Sequence, residues 1–330
     1  MSVVVITDSD LGPGVEEDVL EAAGHDVRRH GCRTAADVAD AAAGAEALIV
    51  QWAPITHDVF VALPSVRFVS RLGIGVDMVD LDAATARGVA VANTPDYCID
   101  EVVAHTLAFI LAGTRGIVQH DRALRAGTWA PVATYPQATR PSQRTVAVIG
   151  LGRIGSKVAA QLAALGYRVL GVDPLAPVPE RVERAALDDA IAAADVVTLH
   201  LPLTPVTRRM IDAAALARMR DGAILVNTCR GGLVDETALV AALASGRLGG
   251  ALLDVFEREP LPADSPLLAD ERVVLSAHAA WYSPAALSEL PRQAAAQVVD
   301  FLAGKPVRSI VNPGYVTKAP DLEEGTWKTN

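Results

Sequence analysis

Three charged side chains in the second half of the sequence, Arg230, Glu259 and His278, are of types that could carry out acid–base chemistry together. Each follows a short, largely apolar run that predicts a strand. Parallel strands end at one edge of an open α/β sheet, where ligands bind, so residues far apart in sequence can meet there. A guanidinium holds a carboxylate and polarises the carbonyl beside it, a histidine gives or takes a proton, and a neighbouring carboxylate orients the imidazole. The three residues therefore predict a catalytic set.

Each of these residues also has a purely structural interpretation. Arg230 would then form a surface salt bridge, and His278 would be a packed core histidine. Glu259 would belong to a solvated run of charges with Glu257 and Arg258. Their joint placement after strands favours the catalytic interpretation.

A glycine-rich loop at residues 150–155 lies between a predicted strand and a predicted helix. In that context Gly150 permits a tight turn, Gly152 opens the backbone to a pyrophosphate, and Gly155 lets the helix approach the strand. Asp173 ends the next predicted strand, where a carboxylate accepts hydrogen bonds from ribose hydroxyls and repels a 2′-phosphate. The pattern predicts a dinucleotide site that prefers NAD to NADP. The alternative is a tight turn and an aspartate that caps a loop.

The elements that must position these residues alternate between short β-branched runs and Ala/Leu-rich stretches of helical period, which predicts an α/β fold. Helices are predicted at residues 101–111 and from Ser283, as N-cap before Pro284, to Gly304. His105, in the first of them, is interpreted as a packed or capped histidine. The predicted strands cover residues 3–7, 47–51, 66–71, 89–92, 145–149, 168–172, 195–199, 224–227, 251–254 and 273–276.

The two groups of strands predict two consecutive sheets and hence two Rossmann-like domains. A further strand predicted at 307–311 would rejoin the first sheet. We therefore expect a discontinuous domain of residues 1–97 and 284–330 and a doubly wound domain of residues 98–283. The residues from about Pro313 onward are expected to form a loose tail.

Composition excludes several functional classes. With a net charge of -10 and no block rich in Lys or Arg, the chain is not expected to bind nucleic acid directly. The spacing of Cys32, Cys98 and Cys229 fits neither a disulfide framework nor a zinc site, and we predict no metal. The start lacks a signal-peptide pattern, and no segment approaches the roughly 20 apolar residues of a membrane span. We expect a cytoplasmic protein without a membrane partner.

Taken together, the motifs closely resemble those of the D-isomer-specific 2-hydroxyacid dehydrogenases. The resemblance runs from about residue 48 to residue 311. It implies a flavodoxin-like substrate domain and an NAD-binding doubly wound domain with an interdomain cleft, and an enzyme that interconverts a small 2-oxo acid and the D-2-hydroxy acid. The motifs that carry it are RLGIGVD at 71–77, GLGRIG at 150–155, LPLT at 201–204, VNTCRGGLVDE at 226–236, DVFEREP at 254–260 and AHAA at 277–280.

The resemblance also implies roles for individual residues. Arg230, Glu259 and His278 would be the catalytic set. The backbone amides of Gly73, Ile74 and Gly75 would hold the substrate carboxylate, and this loop also follows a predicted strand and could form a small anion-binding nest. Near NAD the resemblance places Thr106, Gly150, Gly152, Arg153, Ile154, Gly155, Asp173, Pro202, Thr207, Thr228, Cys229 and Asp254.

Two features bear on the sub-family. Family members usually carry proline before the catalytic histidine, whereas this chain has Ala277, so the loop is less constrained. Formate dehydrogenases typically have glutamine at the position of Glu259, which argues against formate. The segments at 93–102 and 280–283 look most like the C-terminal-binding-protein branch, in which Arg71 and Trp281 would line the substrate pocket. Packing between domains is the alternative for Trp281.

Two functions of different class follow. The first is an NAD-dependent D-2-hydroxyacid dehydrogenase, with phosphite or phosphonate oxidation as a variant within the family. The second is an NAD(H)-sensing, corepressor-like scaffold, for which the chain lacks a basic region. Residues 116–144 resemble an arm that forms a homodimer, and an ordinary surface loop is the alternative.

Overall fold

The computed structural model describes residues 1–318 of the chain. These residues form two compact units. One unit comprises Met1–Tyr97 together with the chain from Ser283 onward, and the other comprises Cys98–Tyr282. Each unit contains its own parallel sheet.

The first unit is built on a five-stranded sheet in which every neighbouring pair is parallel, in the order β2-β1-β3-β4-β5. This is the flavodoxin-like order that the family resemblance implies. The strands are β1 (Val3–Ile6), β2 (Asp26–Arg29), β3 (Ala47–Val50), β4 (Phe68–Arg71) and β5 (Ala90–Ala92). The helices between them are α1 (Val15–Ala22), α2 (Ala35–Ala41), α3 (His57–Ala62) and α4 (Leu81–Ala86).

Burial explains which strands the sequence revealed. Strand β3 is buried at every position and carries a continuous apolar run, and β4, which is also buried throughout, begins with Phe68 and Val69 before Ser70 and Arg71. Strand β2, which was not predicted, lies at the edge of the sheet and has the sequence Asp-Val-Arg-Arg. An edge strand with three charged residues has no pattern that would distinguish it from a loop.

The second unit contains a seven-stranded parallel sheet in the order β12-β11-β10-β9-β6-β7-β8. The strand order reverses between β6 and β9. The carboxyl ends of these two strands are therefore the topological switch point of a doubly wound sheet. The strands are β6 (Thr145–Ile149), β7 (Arg168–Val172), β8 (Glu183–Arg184), β9 (Val196–Leu199), β10 (Ala223–Asn227), β11 (Leu248–Leu253) and β12 (Val273–Leu275). The predicted α/β class and doubly wound sheet are confirmed.

The helices of the second unit include α5 (Ile99–Arg115), which is longer than the predicted 101–111. They continue with α6 (Ile117–Arg125), α7 (Pro131–Thr134), α8 (Arg153–Ala164), α9 (Leu187–Ala193), α10 (Ala213–Arg218) and α11 (Glu236–Ala244). Short 3-10 helices occur at Pro141–Gln143, Gly231–Leu233 and Pro266–Leu268.

The last long helix, α12 (Pro284–Leu302), belongs to the first unit. It begins as the sequence predicts, because the Oγ of Ser283 accepts a hydrogen bond from the amide of Ala286 at 3.0 Å. Phe301 stacks on Phe68 of the sheet, with ring centroids 4.5 Å apart. The helix therefore covers one face of the first sheet.

The predicted strand at 307–311 is wrong. Within this stretch Ile310 forms only an isolated antiparallel bridge with Ala92. The segment lies at the edge of the sheet, where the amide of Val311 donates to the carbonyl of Val91 at 2.8 Å and the side-chain oxygen of Asn312 accepts from the amide of Val91 at 2.8 Å. The predicted loose tail begins too early, since Pro313–Lys318 form a 3-10 helix, and its remainder lies outside the described residues.

Within residues 1–318, no single helix is both long and apolar enough to cross a membrane. Helices α5 and α6 meet the length and composition only when taken together, and they bend by 61° at the break between them.

Candidate functional site

The glycine loop joins β6 to α8 at the switch point of the second sheet. Gly150 has a φ of 94°, and a Cβ there would lie 2.2 Å from the carbonyl oxygen of His200. A Cβ on Gly155 would lie 2.0 Å from the carbonyl oxygen of Gly150. A Cβ on Gly152 would meet no atom within 4 Å. The first and third glycines are therefore demanded by backbone packing, whereas the second leaves open space before the N-terminus of α8, where amides bind phosphate.

Asp173 follows β7 and is tied to this loop. One carboxylate oxygen accepts from the amide of Leu151 at 2.8 Å, and the other accepts from the amides of Leu175 and Ala176, each at 2.8 Å. The hydrogen bond from Ala176, followed by those from Leu151 and Leu175, lowers the pKa of Asp173 below its ordinary value. An ionised carboxylate fixed beside the glycine loop fits the recognition of an adenosine ribose.

A histidine–carboxylate pair lies after the strands on the other side of the same sheet. The Nδ1 of His278 lies 2.7 Å from the Oε2 of Glu259, and the Oε1 of Glu259 accepts from the amide of Phe256 at 2.9 Å. The imidazole remains 23% exposed, so a ligand can reach it. Glu259 is thus bound to the imidazole and is not part of a freely solvated charge run.

Opposing influences act on the Glu259 carboxyl. Burial by itself raises its pKa, but the hydrogen bond and charge of His278, the amide of Phe256 and the charge of Arg230 together lower the pKa below the ordinary value. Glu259 is therefore ionised at neutral pH. An ionised partner on Nδ1 orients the ring so that Nε2 can exchange a proton.

Arg230 follows β10, and both its backbone and its side chain bond to neighbouring residues. Its carbonyl accepts from the side-chain amide of Asn227 at 2.8 Å, and its Nη1 donates to the carbonyl of Cys229 at 2.9 Å. A Cβ on Gly231 would lie 1.9 Å from the backbone of Phe256. Glycine at 231 thus lets the Arg230 loop pack directly against the segment that carries Glu259.

The neighbouring carboxylate of Glu257 forms an ion pair with a different residue. Glu257 accepts from Arg209, with Oε1 2.6 Å from Nη2. Glu257 is therefore engaged by Arg209, whereas Glu259 is the carboxylate that contacts His278.

Two predicted cofactor residues on different elements meet in the core of this unit. The hydroxyls of Thr106, on α5, and Thr228, after β10, lie 2.8 Å apart, and both residues are buried. The hydroxyl of Thr207 donates to the carbonyl of Pro202 at 2.7 Å and so closes the loop between these two predicted residues. Arg153 and Ile154 form the first turn of α8.

Burial shifts the pKa values of Cys229 and His200 toward their uncharged forms. Burial raises the pKa of the Cys229 thiol to about 11, and burial lowers the pKa of His200 to about 4. Both groups are therefore neutral at physiological pH. Trp281 lies edge-on to Tyr282, with ring centroids 5.9 Å apart.

In the first unit, the predicted substrate residues lie at the end of β4 and in the loop after it. Arg71 is buried, and its guanidinium carbon lies 5.4 Å from the centre of the Trp52 ring. The amide of Gly73 donates to the hydroxyl of Thr94 at 2.7 Å. That amide is used inside the protein, so the amides of Ile74 and Gly75 are the remaining candidates for an anion.

Sequence reasoning missed several residues that hold these groups in place. Asn227 ends β10 and Ser276 follows β12, each close to a predicted site residue. A polar residue at the end of a buried strand is a sequence signal that could have pointed to both. Trp52 gave no such signal, because its stacking on Arg71 depends on the separation of two strands. Asp254 was predicted near the cofactor, and its buried carboxylate also accepts amides from the segment of His278.

Comparison with known proteins places the second unit in a family. The model described as "D-isomer specific 2-hydroxyacid dehydrogenase, NAD binding domain" matches residues 107–280. A D-3-phosphoglycerate dehydrogenase of Mycobacterium leprae (strain TN) is 42% identical over 273 residues, which cover 81% of this chain and 51% of the relative. The chain thus spans about half the length of that curated relative.

Two further proteins are similar over most of both chains. A glyoxylate reductase of Korarchaeum cryptofilum (strain OPF8) is 38% identical over 274 residues, or 81% of this chain and 82% of the relative. The crystal structure of a D-lactate dehydrogenase from Aquifex aeolicus, complexed with NAD and lactic acid, has a TM-score of 0.83 and 25% identity, and covers 97% of this chain and 100% of its own. The assignment to the C-terminal-binding-protein branch stays a prediction. From the family model and these relatives, the chain belongs to the D-isomer-specific 2-hydroxyacid dehydrogenase family, and residues 107–280 lie in its NAD-binding domain.

Proposed function

We propose that this chain is an NAD-dependent oxidoreductase that interconverts a small 2-oxo acid and the corresponding D-2-hydroxy acid. The observation that carries the proposal is the contact between His278 and the ionised Glu259, with the Arg230 loop packed against the same segment. These are the three groups that reduction of a carbonyl beside a carboxylate requires.

In the reductive direction, Arg230 holds the carboxylate of the substrate and polarises its carbonyl. His278 donates the proton that converts the carbonyl oxygen to a hydroxyl. Glu259 stays ionised and stabilises the imidazolium before the transfer. NADH, when bound, would supply the hydride that reduction of the carbonyl requires. In the oxidative direction His278 accepts the same proton, and the roles of the other two residues are unchanged.

The residues of the glycine loop fit NAD. Gly152 leaves the space that a pyrophosphate needs, and Asp173 presents a fixed carboxylate for the ribose hydroxyls. We propose Thr106, Arg153, Ile154, Pro202, Thr207, Thr228, Cys229 and Asp254 as the remaining cofactor contacts.

We propose a separate role for the loop after β4 in the first unit. The amides of Ile74 and Gly75 are candidates to bind an acid group, and Arg71 is a candidate to add a positive charge there. In the second unit, Trp281 is a candidate to contact the substrate side chain.

The proposal is tested by following NADH oxidation at its absorbance with a panel of 2-oxo acids. The panel contains glyoxylate, pyruvate, hydroxypyruvate, branched and aromatic 2-oxo acids and phosphonopyruvate, and NAD⁺ reduction by phosphite is measured beside it. We expect turnover of at least one 2-oxo acid, a product of D configuration, and loss of turnover in His278→Ala and Arg230→Ala.

Three results would contradict the proposal. Turnover of phosphite alone would assign a different substrate class. Tight NADH binding without any turnover would favour the sensing scaffold. Full activity of both alanine variants would remove the proposed catalytic set.

We further propose that the protein is a homodimer in the cytoplasm. Helices α6 and α7 and the turn between them expose apolar side chains that include Trp129 and Val132, which are 85% and 78% exposed. A second copy of the chain is the proposed occupant of this surface, in line with the resemblance to a dimer arm. Light scattering should give twice the mass of 34.5 kDa, and Trp129→Glu with Val132→Glu should give the monomer. A monomeric wild-type protein would overturn the dimer, and fractionation of the source cells tests the compartment.

A further inference from the structure

The carboxylate of Asp254 organises the segment that carries His278. It accepts from the hydroxyl of Ser276, from the amide of Ala279 at 2.8 Å and from the amide of Ala280 at 2.9 Å. The carbonyl of Asp254 accepts from the amide of His278 at 2.7 Å. One buried residue after β11 thus accepts four hydrogen bonds from residues 276–280, which follow β12.

His105 extends this network to helix α5. Its Nε2 lies 3.0 Å from the hydroxyl oxygen of Ser276 and 4.0 Å from the carboxylate of Asp254. A carboxylate can only accept, so the hydroxyl proton of Ser276 points to Asp254. The hydroxyl oxygen is then free to accept, and the donor is the Nε2–H of His105. The edge of Phe109, with ring centroids 4.5 Å apart, holds the imidazole in this orientation.

The segment needs such support because of its backbone. His278 has a φ of 51°, a left-handed conformation that residues other than glycine rarely adopt and that persists only where the surroundings enforce it. The preceding residue is Ala277, which lacks the ring that fixes φ in proline. Hydrogen bonds must therefore supply the constraint.

We propose that His105 and Ser276 are positioning residues that hold His278 in register with Glu259. His105 anchors the hydroxyl of Ser276 to helix α5, Ser276 orients the carboxylate of Asp254, and Asp254 fixes the backbone of the His278 segment. The proposal rests on the proposed function, in which His278 exchanges the proton. It assigns a role to His105, which the sequence suggested was only a packed histidine.

Activity measurements distinguish positioning from simple packing. In His105→Leu and Ser276→Ala we expect kcat to fall roughly 10-fold to 100-fold, because small displacements of a reacting group are costly. The KM for NADH should change less than about two-fold. His105→Gln and Ser276→Thr keep the hydrogen-bonding groups and should recover most of the rate. Ser245→Ala, which removes an exposed hydroxyl bound to the carbonyl of Ala242, is the matched control.

A second readout does not depend on turnover. The imidazole resonances of His278, assigned by their loss in His278→Gln, report its environment in the protein without substrate. We expect them to shift in His105→Leu and Ser276→Ala and to stay in place in His105→Gln. If the wild-type protein reduced no 2-oxo acid, the proposed function would fail, and the spectra would still decide the positioning. Unshifted resonances in His105→Leu and Ser276→Ala, or wild-type kcat in these two folded variants, would overturn the inference.

Discussion

Glu259 and His278 are 19 residues apart in the chain, and the Oε2 of Glu259 lies 2.7 Å from the Nδ1 of His278. The contact joins the segments after β11 and β12, which are parallel neighbours in the second sheet. The Oε1 of the same carboxylate is held by the amide of Phe256. Glu259 is therefore fixed at both oxygens, so it can orient the imidazole without moving.

Replacing this carboxylate should impair proton transfer selectively. In Glu259→Gln we expect kcat to fall about 10²-fold, within the range of a general acid–base contribution. Glutamine cannot ionise, so the loss of rate that accompanies protonation of the Glu259 carboxylate at acid pH should be absent in the variant. The pH dependence of kcat for reduction checks both effects. Glu271→Gln, an exposed carboxyl, is the control, and an unchanged pH profile in Glu259→Gln would contradict the assignment.

Arg230 should be sensitive even to a change that preserves its charge. Lysine cannot reproduce the planar fork that binds a carboxylate at two points. We expect Arg230→Lys to lower kcat/KM for the 2-oxo acid by about 10²-fold, the cost of lost orientation at the reacting centre. The affinity for NADH, measured by fluorescence titration, should change little. Arg218→Lys, at an exposed salt bridge with Asp188, provides a matched control. Equal activity of the two variants would exclude the proposed role of Arg230.

Parts of this site were predictable from sequence because they depend on local pattern. A strand followed by glycines at 150, 152 and 155 and an acidic residue at 173 predicts the part of the site that binds the dinucleotide. Arg230, Glu259 and His278 each follow a predicted strand. Because parallel strands end at one edge of the sheet, these residues are expected to lie near one another. None of these inferences requires a side-chain distance.

Other parts depend on distances between elements that no local pattern encodes. The contact of Thr106 with Thr228 requires the packing of α5 on β10, and the bridge from His105 to Ser276 joins residues 171 positions apart. The predicted strand at 307–311 failed for a related reason. Its β-branched residues are held at the sheet by the side chain of Asn312 and form a single bridge instead of a ladder.

The glycine loop offers a pair of substitutions that separate folding from binding. Gly155→Ala places a Cβ against a backbone oxygen and should destabilise the protein by roughly 1–3 kcal/mol, as overpacking does. Gly152 has a φ of -65°, which alanine adopts readily, and its Cβ would enter open space. Gly152→Ala should therefore unfold within about 2 °C of the wild type and yet bind NADH at least ~10-fold more weakly, through its obstruction of the phosphate site. Calorimetry and NADH titration test the pair, and normal NADH affinity in Gly152→Ala would contradict the site.

The choice between NAD and NADP should depend on two residues. Removing the carboxylate in Asp173→Ala takes away the repulsion of a 2′-phosphate. The guanidinium of Arg184 lies close by, since its Nη1 donates to the carbonyl of Asp173 at 2.7 Å. We expect Asp173→Ala to raise the KM for NADH about 10-fold, to lower that for NADPH and to reduce stability through the lost amide contacts. Adding Arg184→Ala should abolish the gain with NADPH. If Asp173→Ala kept the wild-type preference for NADH over NADPH, the role of Asp173 would be only to hold the glycine loop in place.

The thiol beside Arg230 should take no part in catalysis. Burial raises the pKa of the Cys229 thiol to about 11, although the charge of Arg230 acts in the opposite direction. Because a raised pKa favours the protonated form, the thiolate is scarce at pH 8 and increases only as the pH approaches about 11. Iodoacetamide at pH 8 should therefore modify Cys229 slowly in the native protein. Cys229→Ser should keep kcat within about three-fold, since serine keeps the shape of the side chain and only the thiol is removed. Mass spectrometry of the labelled peptide gives the rate, with urea-unfolded protein as the positive control. Rapid labelling at pH 8 with loss of turnover would instead make Cys229 a reactive member of the site.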